Sequence, residues 1–236
     1  MTAPDLSPAF YDAWTAMARR LGVDPIALAR SSFAETGMYR RHPVNRRAGV
    51  WPFIESTLHN LGWQGTAEEF TALPPEDQLQ YMERYLQPYA GRLRDDAMVY
   101  VVMFLPARLN GALAGDDSFV MTSRGDGTNF YEWNPVLDRN GDGVITVGDL
   151  RTWMDTQDRG ARWSTIEGEL RARGATGGPG RPSAAIIPGR GSFLPLALAV
   201  GLAGAWYLYG TDDGVALRRR AGRTASRTLA RYGVAL

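Results

Sequence analysis

Cysteine is absent from all 236 residues. Its absence excludes disulfides, a thiolate metal centre and a cysteine nucleophile. Lysine is absent as well: all 26 basic residues are Arg, against 25 acidic ones. Exclusive Arg usage points to a GC-rich genome rather than to chemistry. The net charge of +1 gives the whole molecule no basic field, so nucleic acid is not expected as a primary partner. Convincing strand patterns are scarce. Met1 to Leu6 has neither a basic start nor an apolar core, so no secretory signal is recognisable there.

What is present is the composition of a globular domain with appendages: 44% hydrophobic and 22% charged residues. Ser7-Pro8 is an N-cap followed by Pro at the first helical position; Phe10, Trp14, Met17 and Leu21 follow at helical spacing, and Gly22 stops the helix. Asp24-Pro25 repeats the start signal for a second helix ending at Gly37. Helices are also expected over Phe53 to Leu61, after a Thr66/Glu69 capping box, over Pro75 to Gln87, and over Met98 to Leu105 with Asp95 or Asp96 as N-cap. Residues 107–128, rich in Gly, Asp and Ser, are expected to form one long loop. The fold class is therefore mostly α.

Near residue 171 the composition shifts. A Gly/Pro/Arg-rich linker is expected over 172–192, then an uncharged apolar stretch over 193–209, then an Arg-rich tail over 210–236. At about 1.5 Å per residue, 193–209 is just long enough to cross a bilayer core. Ala197, Gly201 and Ala205 form a small-residue stripe, Trp206, Tyr207 and Tyr209 an interfacial cluster, and the Arg residues beyond suit anionic headgroups. A membrane is the expected partner of this segment. The competing reading is a buried helix of the main fold, against which the linker argues.

Two motifs carry chemistry. Glu35, in Ser31-Ser-Phe-Ala-Glu-Thr-Gly-Met38, falls in the last turn of the second helix. The helix dipole disfavours a carboxylate there, and burial against Phe33, Met38 or Tyr39 pushes its pKa the same way, upward, as a general acid requires. The second motif, Asp138-Arg-Asn-Gly-Asp-Gly-Val-Ile-Thr-Val-Gly-Asp149, fits the EF-hand loop pattern. Asp138, Asn140 and Asp142 offer side-chain oxygens, Val144 its carbonyl, Thr146 a direct or water-bridged ligand, and Asp149 closes the site around Ca²⁺. Asp instead of Glu at the last position predicts weaker binding or more tolerance of Mg²⁺. A single loop suits a structural clip better than a sensor. Gly125-Asp126-Gly127 lacks the remaining ligand positions and is expected to be a turn.

Ala-Glu-Thr-Gly around Glu35, Ala48-Gly-Val-Trp-Pro-Phe-Ile-Glu-Ser-Thr57, Gln78 to Tyr89, Tyr100 to Pro106 and Asn129 to Gly143 together resemble the lysozyme-like lytic transglycosylases, closest to those of bacteriophages and prophages. The resemblance covers the first 135 residues or so and the loop after them. It implies a two-lobed helical domain over 1–171 with a glycan cleft between the lobes. It also implies that Glu35 protonates the glycosidic oxygen of peptidoglycan and then takes the C6 hydroxyl proton of muramic acid, leaving a 1,6-anhydro sugar. By analogy Gly49 and Phe53 shape the cleft floor, and Tyr131 and Asn134 bond to or stack on the sugar; packing beside the cation loop is the other reading of that pair. Pro52 stands where the family often has Gln, which removes any polar contact from that position. Glu55 and Asp95 or Asp96 are the candidate second acids if the outcome is hydrolysis. The missing signal combined with a C-terminal anchor points to a virion, with other virion proteins as further partners, or to the cell envelope. The alternatives are a non-catalytic wall-binding or structural virion protein that kept the fold, and a calcium-dependent adaptor.

Overall fold

The structure is a computed structural model that describes residues 6–40, 49–156 and 160–177. The apolar span, most of the linker and the tail expected over 178–236 lie outside the described residues. Among the described residues, no helix is long and apolar enough to cross a membrane.

Helix α1 (Pro8–Leu21) starts where the sequence signals it: the Ser7 hydroxyl accepts the Phe10 N–H at 3.0 Å, and Gly22 ends the helix at φ 71°. Phe10, Trp14, Met17 and Leu21 are all buried, so the apolar stripe is the core face. Helix α2 (Pro25–Thr36) is capped by Asp24, which accepts Ile26 N–H at 2.8 Å, and closes at Gly37 with φ 64°. Trp14 donates its indole N–H to the Pro25 carbonyl at 3.0 Å, tying the two helices at their joint.

Short helices α3 (Glu55–Asn60) and α4 (Ala67–Ala72) precede the amphipathic α5 (Pro75–Leu86), which packs on α1. The Thr66/Glu69 capping box forms at the start of α4. Helix α6 (Asp96–Phe104) is buried on all sides from Ala97 onward, the fate of a helix with no polar face. Asp95 caps it, accepting the Met98 N–H at 2.9 Å. Helices α2 and α6 pack side by side at the centre, with α9 (Val147–Asp155) against both.

The segment expected as one loop over 107–128 is not one. Helix α7 (Leu109–Ala114) buries Leu109 and Ala112, and β1 (Val120–Ser123) pairs antiparallel with β2 (Val144–Thr146). Strand β1 is too short to carry a period-2 signal and exists because β2 offers it a ladder. The Gly125-Asp126-Gly127 turn does form. Asp126 accepts Thr122 Oγ1 at 2.6 Å and Thr128 N–H at 2.9 Å, and these bonds hold its carboxyl well below the usual range. A four-residue α8 (Phe130–Trp133) leads into the 138–149 loop.

Helix α10 (Gly160–Ala172) lies against α1 and α2, and the chain past it still belongs to the fold. Arg173 pairs with Asp12 at 2.6 Å, and Thr176 and Gly177 donate their N–H groups to Asp24 at 3.0 and 3.2 Å. The domain therefore extends past the boundary expected at 171. Asp24 serves both the α2 cap and this returning segment, a tertiary bond that composition does not signal.

Candidate active site

Glu35 occupies the last turn of α2 and is 5% exposed. Its carboxyl is pushed up to about 7, chiefly by burial; a hydrogen bond from Tyr100 works in the opposite direction. Tyr100, on α6, donates its hydroxyl to Glu35 Oε1. One turn earlier on the same pair of helices, Ser31 Oγ donates to the Asp96 carbonyl at 2.8 Å. The Ser31–Asp96 and Glu35–Tyr100 contacts advance in the same direction, so α2 and α6 run parallel here and place acid and phenol opposite one another. Tyr100 is itself fully buried, and burial, the Glu35 charge and their shared hydrogen bond all raise its pKa far above the ordinary value.

The neighbours expected to bury Glu35 are partly engaged elsewhere. Phe33 meets Trp163 edge to face at 5.3 Å, and Tyr39 lies under the Arg162 guanidinium at 4.0 Å. Met38 is fully buried, at φ 51°. Arg162 donates to the Gly37 and Met38 carbonyls at 2.7 Å each, satisfying carbonyls left over where α2 ends. Gly37 leaves no room for a side chain: an added Cβ would lie 2.7 Å from the Tyr39 ring.

Gly49 opens the second described stretch. The Val50 carbonyl accepts the Ser32 and Thr36 hydroxyls, the latter at 3.1 Å, and the Val50 N–H donates to Gln78 Oε1 at 3.2 Å. The two peptide groups flanking the Val50 Cα are thereby pinned, one to α2 and one to α5, adjoining the turn that bears Glu35. Phe53 is buried among Phe70 and Tyr85, each at 5.8 Å, and Trp51 at 6.4 Å. The candidate second acids are each engaged structurally. Glu55 accepts Ala67 N–H, Asp95 pairs with Arg151 at 3.0 Å, and Asp96 pairs with Arg30 at 3.6 Å.

Tyr131 and Asn134 sit with the cation loop. Tyr131 is buried and donates to Asp138 Oδ2 at 2.6 Å while accepting from Arg124 at 3.0 Å. Asn134 is also buried and gives its amide to the Phe130 carbonyl at 2.9 Å. These bonds run within the 124–138 region, which favours loop packing over sugar contact for both.

The 138–149 loop is closed by its own hydrogen bonds. Asp138 accepts Gly141 N–H at 2.7 Å on Oδ1 and Gly143 N–H at 2.9 Å on Oδ2. Asp142 Oδ1 accepts Val144 N–H at 2.9 Å. Gly141 and Gly143 turn the chain at φ 77° and 87°. Asp149 closes the loop: Oδ1 accepts Arg139 N–H at 3.1 Å, and Oδ2 accepts both Thr146 N–H at 2.9 Å and Thr146 Oγ1 at 2.6 Å. Two donors on Oδ2 use both of its lone pairs, so Asp149 has only Oδ1 to offer a metal. Among the described residues, no group of three His, Cys, Asp or Glu is placed to hold a metal ion. A cation in this loop would draw on Asp138, Asn140, Asp142, the Val144 carbonyl and one oxygen of Asp149, with Thr146 spent on the α9 cap. Those donors are hard oxygens, the kind Ca²⁺ prefers, but among the described residues they are not gathered into a metal-holding group.

Sequence reasoning missed Tyr100 as the partner of Glu35, together with the Gln78 and Arg162 anchors. A signal for the first was present: Tyr100 is the one residue with a polar tip in the apolar run 97–105, and a buried phenol needs a partner. Comparison of the chain with family models, curated proteins and solved structures found no match in any of the three.

Proposed function

We propose that this protein is a peptidoglycan lytic transglycosylase with Glu35 as its general acid and base. The observation that carries this reading is a buried carboxyl at a helix C-terminus, poised at about 7 and held by a phenol. The hydroxyl of Tyr100 takes Oε1, so Oε2 is the atom assigned to proton transfer. Protonated Glu35 gives its proton to the oxygen between muramic acid and the next sugar as that bond breaks. The resulting carboxylate removes the proton of the muramic C6 hydroxyl, whose oxygen closes on C1. One carboxyl serves both steps, in keeping with the engagement of Glu55, Asp95 and Asp96 elsewhere. In this reading the pinned 49–53 segment forms part of the wall of a glycan cleft between two lobes.

Ca²⁺ in the 138–149 loop belongs to the same proposal. Held by its oxygen donors, it would neutralise clustered carboxylates and fix the start of α9. Replacing Tyr131 with Phe is expected to weaken calcium binding about tenfold, because the bond that orients Asp138 is lost; calorimetric titration checks this. The membrane anchor at 193–209 and placement in a virion or cell envelope, with other virion proteins as partners, rest on sequence alone.

A second reading is favoured by one observation. At 5% exposure, Glu35 is closed off, as expected for a wall-binding or structural protein that kept the fold without the activity. Incubating the full chain with purified peptidoglycan and weighing the products separates the readings. Anhydromuropeptides support the transglycosylase. Reducing ends indicate a hydrolysing muramidase. No products, with calcium present, favour the non-catalytic protein.

A further inference from the structure

A cavity of 460 Å³ opens beside α6, within the roughly 300–1,000 Å³ usual for small-ligand sites. Met98 lines it, and Met98 and Tyr100 are two residues apart on α6, so the cavity and Glu35 lie on different sides of that helix. With Met98, the buried residues Ala112 of α7 and Val147 of α9 make its apolar lining. The polar side is fixed by bonds. Gly148 N–H donates to the Asp117 carbonyl at 2.8 Å and Val147 N–H to the Phe119 carbonyl at 3.1 Å, so the 116–118 turn is stitched to the start of α9. Arg151, on α9, bridges Asp117 at 2.8 Å and Asp95 at 3.0 Å, so its charge is answered twice. Two other charges lining the cavity are not answered. Arg94 spends one N–H on the Leu113 carbonyl at 3.2 Å and makes no ion pair with a described residue. Asp116 gives only Oδ1 to Ser118, accepting its hydroxyl at 2.6 Å and its N–H at 2.8 Å, and Oδ2 has no donor among the described residues. The Ser118 hydroxyl and N–H hold that carboxyl below its usual range, so it is charged at neutral pH.

We propose that this cavity binds a short zwitterionic amino compound, an amino acid or the free ends of a small peptide. A cation and an anion that line one cavity without pairing with each other leave both to a guest. The guest's carboxylate goes to the Arg94 guanidinium, whose planar fork suits it. Its ammonium goes to Asp116 Oδ2, with Asp117 Oδ2 as a second acceptor, since Arg151 bonds the other oxygen of Asp117. Small apolar groups such as methyls then rest on Met98, Ala112 and Val147. A simple anion is repelled by Asp116 and Asp117, and a simple cation by Arg94. A molecule that carries both charges answers both sides. The turn and helices around the cavity are already bonded to one another, so binding has little left to order. The charged residues are open to solvent, which screens them, and the expected Kd is roughly 1 mM. This inference stands apart from Glu35 and from the 138–149 loop. Free amino acids and the peptide stems of a bacterial cell wall both carry the required chemistry, and the test separates these sources.

The test is an NMR titration of the full chain in detergent, following the backbone amides of residues 112–118. Three probes are compared: alanyl-alanine with both ends free, its N-acetylated form and its C-terminal amide. The free dipeptide is expected to move these signals, and each blocked form to bind about tenfold more weakly, the worth of one charged hydrogen bond. Arg94→Gln keeps an N–H for the Leu113 carbonyl, and Asp116→Asn keeps an oxygen for Ser118. Arg94→Gln is expected to abolish the preference for a free carboxylate and retain that for a free amine; Asp116→Asn is expected to do the reverse. Equal binding of all three probes by the wild type overturns the proposal, and this comparison needs no variant to fold. So does the absence of any shift at about ten times the expected Kd. Preferences unchanged in both variants overturn the roles of Arg94 and Asp116. A fourth and fifth probe, free alanine and a stem tetrapeptide released from peptidoglycan, decide the source: tighter binding of the tetrapeptide supports the wall, and alanine binding at least as tightly supports a free amino acid. Because the readout is ligand binding away from Glu35, failure to cleave glycan sinks the enzymatic reading without touching this result.

Discussion

Glu35→Gln is expected to cut the release of soluble muropeptides by about 10²- to 10⁴-fold, the usual worth of a general acid, while making the protein more stable above neutral pH. The two effects share one cause. Burial holds the carboxyl at about 7 against an ordinary 4.5, so between those values the folded chain binds a proton that the unfolded chain releases. The contribution to stability is complete below about 4.5, is lost as pH rises through 7, and above that the buried charge costs about 3 kcal/mol. Gln stays neutral at every pH and keeps an oxygen for the Tyr100 hydroxyl. Calorimetric melting at pH 4.5 and pH 8 is expected to show similar Tm values at the first. At the second, the variant should melt several degrees higher, on the basis of roughly 2–4 °C per kcal/mol. An equal gap at both pH values would mean that Glu35 titrates like a surface carboxyl, and the acid/base proposal would lose its support.

The second large effect is expected from Gly49→Ala. A Cβ on Gly49 would stand 2.3 Å from Gln78 Oε1, 3.2 Å from Gln78 Cδ and 3.3 Å from Thr71 Cγ2. The end of a Gln side chain usually gives way cheaply, but this one is buried and held at three points. Its oxygen accepts Val50 N–H at 3.2 Å, and its amide donates to the Arg40 and Leu73 carbonyls at 3.1 and 3.2 Å. Moving it breaks those bonds inside the fold. Overpacking together with the lost bonds is expected to cost about 3 kcal/mol and to lower Tm by roughly 6–12 °C. Combining Gly49→Ala with Gln78→Ala should cost less than the sum of the two single changes, because both act on the same contact. Strict additivity would show that the strain lies elsewhere. Since Val50 is bonded to Ser32 and Thr36 on either side of the Glu35 turn, any surviving protein should also lose activity.

Much of the secondary structure was legible because its causes are local. Ser7, Asp24, Thr66 and Asp95 cap helices by accepting N–H groups two or three residues on, and Gly22 and Gly37 end helices by adopting left-handed backbone. Those choices are made within one turn of chain. The region 107–128 misled for the opposite reason. Its composition is that of a loop, yet Leu109 and Ala112 find buried places and Val120–Ser123 finds a partner strand more than 20 residues away. No window of 107–128 contains β2. The end of the folded unit was also misplaced, because Arg173, Thr176 and Gly177 are held by Asp12 and Asp24 near the other end of the chain.

The same division runs through the site. Position in the chain alone put Glu35 at a helix C-terminus and gave Asp138, Asn140, Asp142 and Asp149 the spacing of an EF-hand loop, since both patterns are set by neighbours in sequence. Tyr100 reaches Glu35 across 65 residues, and Gln78 reaches Val50 across 28. Tertiary structure also decided the chemical state of Glu35. A carboxyl is raised by losing water, and Glu35 loses it only when the buried faces of α2 and α6 close on each other.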